Sequence, residues 1–471
     1  MENFPKESIN VIASLPEIIS RIMAFLPTPD LESCSLVNAT WEAEALTHLL
    51  ARTPVDLNLF AAKDFTDLVP YTTLALKHVK ISTISKYSDD RAILLPKFDL
   101  LTSLNFKCVT KLEIDFLSHD DSSQVESHVV KLAASLVNLR SLQFDLRLLS
   151  QDKYLSSERV DWTHLFPDNL TYPPKLASLT FKMCSWAFQY FRERVQTIVS
   201  LITRSLTVFG HVRNLTLVDM PDWIMEESDL PLGKIEYLTR TIYTERFPPK
   251  PVRNGAIYAN ITRLEVNPQI GDGAGDLLHV LAQQLEYLCI SYVPAVPTQI
   301  YHSRETLRIP ILPKLKVLKI SRDQGGIYAR HGDWQRDISL KFDTGRDNVE
   351  LVYAKQFPIL ERLIVRLEIP ITAKTSEWAK KFCGREETRI FMGKTFLAKD
   401  LVPCETLRSL DTWFPCEEDL KMWRCGCAHG KGVCTCAESE FYERIATTFP
   451  NLRYDVIERG REIERMRKLE N

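Results

Sequence analysis

The amino-acid sequence predicts an α/β protein in which a small helical region precedes an array of short strands. Helix-start signals follow one another closely between residues 14 and 50, and from residue 109 onward a short phrase of alternating apolar residues recurs. The chain has 471 residues, of which 45% are hydrophobic and 25% are charged. This composition suits a large folded body, so we do not expect a disordered protein.

Composition also limits the expected partners and location. The 59 basic residues nearly balance the 61 acidic residues, which leaves a formal net charge of −2 and no net field to attract phosphate groups. We therefore do not expect a nucleic acid partner. No stretch approaches the roughly 18 apolar residues of a membrane span, and the first residues do not form a secretion signal. We expect a cytoplasmic or nuclear protein without a membrane partner.

The first helix is predicted by a capping pattern and an apolar face. Ser14 can cap the helix while Glu17 reaches back, and Pro16 is tolerated in the first turn because an N–H is not needed there. The helical face comprises Ile18, Ile19, Ile22, Phe25 and Leu26. Pro27 is expected to end this helix.

Two further helices are predicted before residue 51. Thr28 as a cap, Pro29 at the first helical position and Asp30 near the positive end of the dipole indicate the second helix. Asn38 is the expected cap of the third helix. One stripe of that helix carries Trp41, Ala45 and Leu49.

A segment of roughly 37 residues buries too little surface to fold alone, so we expect a partner or the rest of the chain to cover it. The segment resembles an F-box. The matching residues are Leu15-Pro16, Glu17-Ile18, Ile22, Phe25-Leu26-Pro27, Asp30-Leu31, Ser35-Leu36-Val37 and Trp41. The resemblance implies a three-helix module, residues 10–51, that docks on the Skp-type adaptor of a cullin–RING ubiquitin ligase.

The resemblance also implies a set of adaptor-binding residues. These are Leu15, Pro16, Ile18, Ile22, Leu26, Leu31, Leu36, Val37 and Trp41. Some of them must instead hold the three helices together, and Trp41 is the best candidate for that role because a large aromatic residue usually forms the core of so small a module.

Residues 52–100 are expected to connect this module to a domain of repeats, residues 101–455. The repeated phrase is an apolar residue, two variable residues, Leu, one variable residue and another apolar residue, which is typical of a strand with one buried face. Its copies begin at Val109, Leu139, Leu176, Val212, Ile261, Leu285, Leu315 and Leu360, with a weaker copy at Leu407. The copies resemble leucine-rich repeats, which implies a solenoid with a curved parallel sheet and helices on its outer side.

Several intervals between the copies fit this architecture. Apolar stripes predict helices over residues 125–137 and 186–206, and the segment 271–275 is expected to open another helix. The spacing of the copies is irregular, so the repeats must carry insertions. Residues 246–251, rich in proline, and residues 323–348 are the candidates, and such insertions often contribute to a binding surface. The tail, residues 456–471, is predicted to form a charged helix.

A cysteine cluster near the C-terminus is a candidate metal site. If the glycines between its halves form a hairpin turn, Cys425, Cys427, Cys434 and Cys436 would converge and could hold a structural Zn²⁺ ion, with His429 as a substitute ligand. Reduced free thiols on a loop, or a redox-labile pair, are the alternatives.

No catalytic motif supports an enzyme. The glycines at 271, 273 and 275 are better explained by a turn before a helix, and the single Asp343-Thr344-Gly345 triplet lacks the second copy that aspartic protease chemistry needs. The two resemblances together imply a substrate-recognition subunit that binds the adaptor, and through it a cullin, while the repeats bind an unknown target protein. The alternatives are a non-ligase scaffold and a zinc-stabilised interaction protein.

Overall fold

The computed structural model describes fifteen segments of the chain. These are residues 15–58, 76–82, 106–115, 123–146, 172–183, 192–220, 230–241, 255–267, 274–292, 306–322, 339–343, 351–367, 385–397, 402–412 and 436–452. The chain divides into two compact units, Met1–Val218 and Asp219–Asn471.

The helices of the first unit are short and lie mostly at its N-terminus. They are α1 (Pro16–Met23), α2 (Thr28–Cys34), α3 (Ala39–Arg52), α4 (Ser123–Ser135) and α5 (Arg192–Val208). The second unit contributes α6 (Ala274–Leu281), α7 (Tyr353–Gln356), α8 (Arg385–Thr395) and α9 (Cys436–Thr448). None of the helices in these described segments is long and apolar enough to cross a membrane.

The first unit contains a parallel sheet whose strands pair in sequence order. They are β1 (Val55–Asn58), β2 (His78–Ser82), β3 (Lys111–Asp115), β4 (Ser141–Asp145), β5 (Ser178–Lys182) and β6 (Asn214–Val218). Each strand is parallel to the next.

The second unit repeats this arrangement. Its strands are β7 (Tyr237–Thr241), β8 (Arg263–Asn267), β9 (Tyr287–Tyr292), β10 (Thr306–Ile309), β11 (Val317–Arg322), β12 (Ser339–Phe342), β13 (Arg362–Arg366) and β14 (Ser409–Thr412). The order β7-β8-β9-β11-β13-β14 is parallel throughout, while β10 and β12 form a separate parallel pair. With β10 and β12 set aside, twelve described strands belong to long parallel sheets, which confirms the predicted α/β class.

Every copy of the predicted phrase forms one of these strands. The leucines of neighbouring copies are paired in the strand register. Leu112 aligns with Leu142, Leu179 and Leu215 in the first unit. In the second unit Leu264 aligns with Leu238, Leu288, Leu318, Leu363 and Leu410. All of these leucines are buried, so they form one continuous row of core side chains along each sheet.

The backbone connects neighbouring strands in the same way at each step. The amides of Arg140 and Ser141 both donate to the carbonyl oxygen of Thr110, at 2.8 and 3.0 Å. The amides of Glu286 and Tyr287 likewise both donate to the carbonyl oxygen of Thr262. Because the same two bonds recur where strands begin, each unit is built from structurally equivalent repeats.

Five described strands, β1, β2, β7, β10 and β12, have sequences that the repeated phrase did not identify. In β7 the position equivalent to the second apolar residue is Arg240, which is buried and registers with Val266. In β2 the leucine position is Val79, which registers with Leu112. Strands β1 and β2 lie within residues 52–100, the segment expected to connect the helical module to the repeats, so the sheet begins within that segment.

The predicted helical intervals correspond to α4, α5 and α6, and their predicted apolar faces are buried at Leu132, Ile198 and Leu278. The second insertion candidate contains β12. The proline-rich candidate at 246–251 and the predicted charged helix at 456–471 lie outside the described residues.

Candidate functional site

The three N-terminal helices form a small core of their own. Ile19, Met23, Leu31 and Ala45 are almost fully buried there. Leu26, Cys34, Trp41 and Leu49 pack against this cluster while remaining partly exposed. Among the predicted adaptor-binding residues, Leu31 therefore lies in the core, and Trp41 and Leu26 support it.

Helix capping was predicted correctly at one of three positions. The Asn38 Oδ1 atom accepts hydrogen bonds from the amides of Thr40 and Trp41, so it caps α3 as expected. The predicted cap Thr28 is instead the first residue of α2, because Pro27 takes the extended conformation of the cap position. The cap residue of α1 is Leu15, whose side chain has no hydrogen-bonding group, and the predicted cap Ser14 lies outside the described residues.

Arg52 ties the end of α3 to the end of α1. Its guanidinium donates to the carbonyl oxygens of Met23 at 3.0 Å and Ala24 at 2.8 Å, and also to that of Leu26. The Met23 carbonyl also accepts from the Leu26 amide at 3.2 Å, and the cation adds a partner at this helix end and complements the helix dipole. This role is not evident from the sequence, because the partners lie 26 to 29 residues away along the chain.

The three helices and the turns between them expose several large apolar side chains. Leu46 of α3 is 38% exposed, and between residues 15 and 37 the exposed large apolar side chains are Leu15 (40% exposed), Ile18 (38%), Ile22 (45%), Phe25 (89%), Leu36 (86%) and Val37 (60%). We call these six residues the module surface. With Pro16, which is also exposed, the set includes six of the nine predicted adaptor-binding residues and adds Phe25. Large apolar side chains that stay exposed on so small a module are candidates for an interaction surface.

The helical module is directly joined to the first sheet. Thr53 and Pro54 alone separate α3 from β1, and α3 also contacts β2. Both elements belong to the first compact unit. A partner on the module surface is therefore held close to the sheet without a long flexible linker.

The variable positions of β2 to β4 carry a buried polar network in the first unit. Glu113 is its centre: its two carboxylate oxygens accept from Gln143 Nε2 at 2.8 Å and lie 2.8 Å from His78 Nε2 and 2.9 Å from Lys111 Nζ. A neighbouring ion pair joins Lys80 to Asp115 at 3.1 Å. Charges on this face are therefore neutralised by side chains of the same sheet.

This network lowers the pKa of Glu113. Burial alone raises the carboxyl pKa, but the hydrogen bonds from His78 and Lys111 and the charges of Lys111 and Lys182 outweigh it and bring the pKa to about 2. Glu113 is therefore ionised at neutral pH. Its carboxylate is a structural acceptor rather than a group poised for proton transfer.

The equivalent face of the second unit carries an aromatic and cationic row. The Arg263 guanidinium lies 4.8 Å from the ring centroid of Tyr237 and 5.0 Å from that of Tyr287. These three residues are direct register partners on β7, β8 and β9. The two rings meet edge to face, with centroids 6.0 Å apart and an interplanar angle of 75°, and the cation lies beside both of them, although Arg263 itself is exposed.

A carboxylate lies beside this row and is already occupied. Glu265 accepts hydrogen bonds from the Tyr237 hydroxyl at 2.9 Å and from Ser291 Oγ at 3.1 Å. Burial, followed by the charge of Glu265 and this hydrogen bond, raises the pKa of Tyr237 to about 12. Burial is also the main cause of a raised pKa at Tyr287, so both phenols remain neutral at physiological pH.

The predicted zinc ligands are not brought together by the described structure. Cys425, Cys427 and Cys434 lie outside the described residues, and Cys436 is the first residue of α9. Within the segments that the structure describes, no group of three or more His, Cys, Asp or Glu side chains is arranged to hold a metal ion. The zinc site stays a prediction.

Comparison of the chain with models of known protein families gives no match, and comparison with curated proteins gives none.

Proposed function

We propose that this protein is the substrate-recognition subunit of a cullin–RING ubiquitin ligase. In this proposal the three N-terminal helices are an F-box that binds a Skp-type adaptor, and through it a cullin. The repeats are leucine-rich repeats whose parallel sheets curve into a solenoid and bind the protein to be ubiquitinated. The protein brings two partners together and catalyses no reaction itself.

The observation that carries the proposal is the module surface. Phe25 and Leu36 are 89% and 86% exposed, although apolar side chains of this size usually pack inside a fold. They stand on a module whose own core is complete, so they are available for a partner rather than for the folding of the three helices. An adaptor with an apolar groove would cover them.

The direct connection between the module and the sheet supports the same proposal. A recognition subunit works by raising the effective concentration of its target near the ubiquitin-loaded enzyme. A long flexible linker would dilute that effect, whereas here two residues separate α3 from β1.

The test is co-expression of the full chain with a Skp adaptor and a cullin, followed by gel filtration. We expect the three proteins to co-elute. The double substitution Phe25→Ser and Leu36→Ser should weaken adaptor binding at least about thirtyfold, because each removes a large apolar contact from the centre of the interface. The double substitution Leu15→Ala and Pro16→Ala should weaken it as well.

The matched control is Val402→Ser, which changes an apolar side chain of the second unit that is 57% exposed, close to the 60% of Val37. It should leave co-elution unchanged. Unaltered adaptor binding by the folded Phe25→Ser, Leu36→Ser variant would contradict the proposed docking surface. Adaptor binding without recruitment of the cullin would instead support the non-ligase scaffold.

A further inference from the structure

The sheet of the second unit carries three basic side chains on the face away from the buried leucine row. They occupy variable positions of the parallel sheet and are Arg263 on β8, Lys319 on β11 and Arg362 on β13. Among the residues that the structure describes, no carboxylate lies within ion-pair distance of any of the three. Arg263 and Arg362 are both exposed.

The two carboxylates that the described strands place on this face, Glu265 and Asp411, already have partners. Glu265 accepts from Tyr237 and Ser291. Asp411 is bound by Arg366 through two nitrogen atoms, with distances from 2.8 to 3.1 Å. The acids are therefore occupied while three cations stay available, which gives the face a local positive charge in a protein whose formal net charge is −2.

The Arg263 side chain is preorganised to bind an anion. Its contacts with the rings of Tyr237 and Tyr287 restrict the side chain before any ligand arrives, so less rotational freedom is lost on binding. The guanidinium is planar and its N–H groups lie in that plane. Such a plane matches a carboxylate, which accepts two parallel hydrogen bonds.

We propose that this face, formed by Arg263, Lys319 and Arg362 with the two tyrosines, binds an acidic peptide segment of the target protein. This inference deepens the proposed function by naming the chemistry of the target. A nucleic acid is the weaker candidate, because stable binding to a phosphate backbone commonly uses about 6–10 neutralised phosphates and this face offers three free cations.

The spacing of the two arginines specifies the segment further. Register partners lead from Arg263 through Tyr287 and Val317 to Arg362, so they stand three strands apart. At about 4.8 Å per strand this separation is about 14 Å, and an extended chain advances about 3.4 Å per residue. Two carboxylates about four residues apart, which point to the same side of an extended peptide, would reach both arginines.

The experiment measures binding of fluorescein-labelled peptides to the full chain by fluorescence anisotropy. One peptide carries two glutamates at the deduced spacing on a serine background, and its partner carries two glutamines instead. The glutamate peptide should bind at least about tenfold more tightly, and added salt should weaken it. Arg263→Gln should reduce its affinity about tenfold, Arg362→Gln should reduce it several-fold, and Arg263→Lys should lie between Arg263→Gln and the unaltered protein.

Arg308→Gln is the matched control. Arg308 is an exposed arginine of β10, in the separate two-stranded sheet of the same unit, so its substitution changes net charge equally without touching the proposed face. Equal affinity for the two peptides, or an equal loss in Arg308→Gln and Arg263→Gln, would overturn the inference. Displacement of the glutamate peptide by a single-stranded oligonucleotide that binds more tightly would overturn the assignment to a protein target.

Adaptor co-elution of the Arg263→Gln variant separates this inference from the proposed function. That variant should keep the adaptor, because Arg263 lies in the second unit and the module surface in the first. If the peptides fail to discriminate while the adaptor binds, the acidic target alone is rejected. If Arg263→Gln is misfolded by circular dichroism, the Arg362→Gln result decides the test.

Discussion

The polar faces of the two units use equivalent strand positions in opposite ways. In the first unit, Glu113 is surrounded by His78, Lys111 and Gln143 of the same sheet and lies largely buried. In the second unit, Arg263 is exposed beside two tyrosines with no acidic partner among the described residues. Repeats that share a backbone and a leucine row therefore carry either internally paired charges or exposed unpaired charges at their variable positions.

The difference has an energetic cause. A buried charge is tolerated only when other side chains of the protein compensate it, so the first network contributes to stability and offers little to a ligand. An exposed cation remains hydrated and adds almost nothing to stability, yet it can exchange water for a carboxylate of a partner. Substitutions on the two faces should therefore separate stability from binding.

The largest effect is expected at Glu113. Glu113→Ala leaves Lys111 without its acidic partner and removes the acceptor of His78 and Gln143, so the free energy of unfolding should fall by about 3 kcal/mol. Urea denaturation followed by circular dichroism measures the change. The matched variant on the other face is Glu265→Ala, which removes the acceptor of Tyr237 and Ser291 and should cost about 1 kcal/mol. Equal losses in the two variants would remove the contrast between the faces.

The next effect is a dependence on acid pH. The folded pKa of Glu113 is about 2, below the unfolded value of about 4.3. The carboxylate therefore stabilises the fold above pH 4.3, and this stabilisation is lost as the pH falls toward 2. Its size is of the order of 2 kcal/mol, reduced because Lys111 is partly exposed. Urea unfolding of the natural protein and Glu113→Gln at a series of pH values should show their stability difference shrinking over this interval. A difference that stays constant down to pH 2 would contradict the assignment.

The strands that the sequence predicted share one physical property. Wherever the phrase carries Leu followed two residues later by an apolar side chain, as at Leu142 and Phe144, both residues are buried in register with their neighbours. The alternation of apolar and polar residues is a local property of the sequence, so such a strand can be predicted from a single sequence. Strand β7 was not predicted because Arg240 occupies the apolar position, and tertiary packing buries that side chain despite its charge.

The candidate sites were only partly predictable for a different reason. The alternation indicates which residues of β8 face away from the leucine row, but it does not show that the Arg263 guanidinium contacts the rings of Tyr237 and Tyr287, which lie on other strands. In the helical module, Leu31 and Leu36 were both predicted to bind the adaptor, yet Leu31 is fully buried and Leu36 is 86% exposed. The packing of the three helices decides which apolar residues lie in the core and which stay on the surface. The six residues of the module surface stay exposed.

A smaller effect is expected at the ion pair of β13 and β14. Arg366→Gln removes a two-nitrogen contact with Asp411, but Arg366 is 63% exposed, so the expected loss is below about 1 kcal/mol. A double-mutant cycle with Asp411→Asn measures the coupling between the two side chains. Coupling as large as the effect at Glu113 would mean that this face also depends on internal pairing for its stability.

The smallest effect on stability is expected at Arg263. Arg263→Gln removes two cation–π contacts at an exposed site, which should lower the free energy of unfolding by about 0.5–1 kcal/mol. The same substitution should produce the largest loss of acidic-peptide affinity. A small effect on stability together with a large effect on binding is what distinguishes this face from that of the first unit. Urea denaturation of Arg263→Gln beside Glu113→Ala tests it directly. A loss near that of Glu113→Ala would make Arg263 a structural residue, because an exposed recognition residue contributes to binding without supporting the fold.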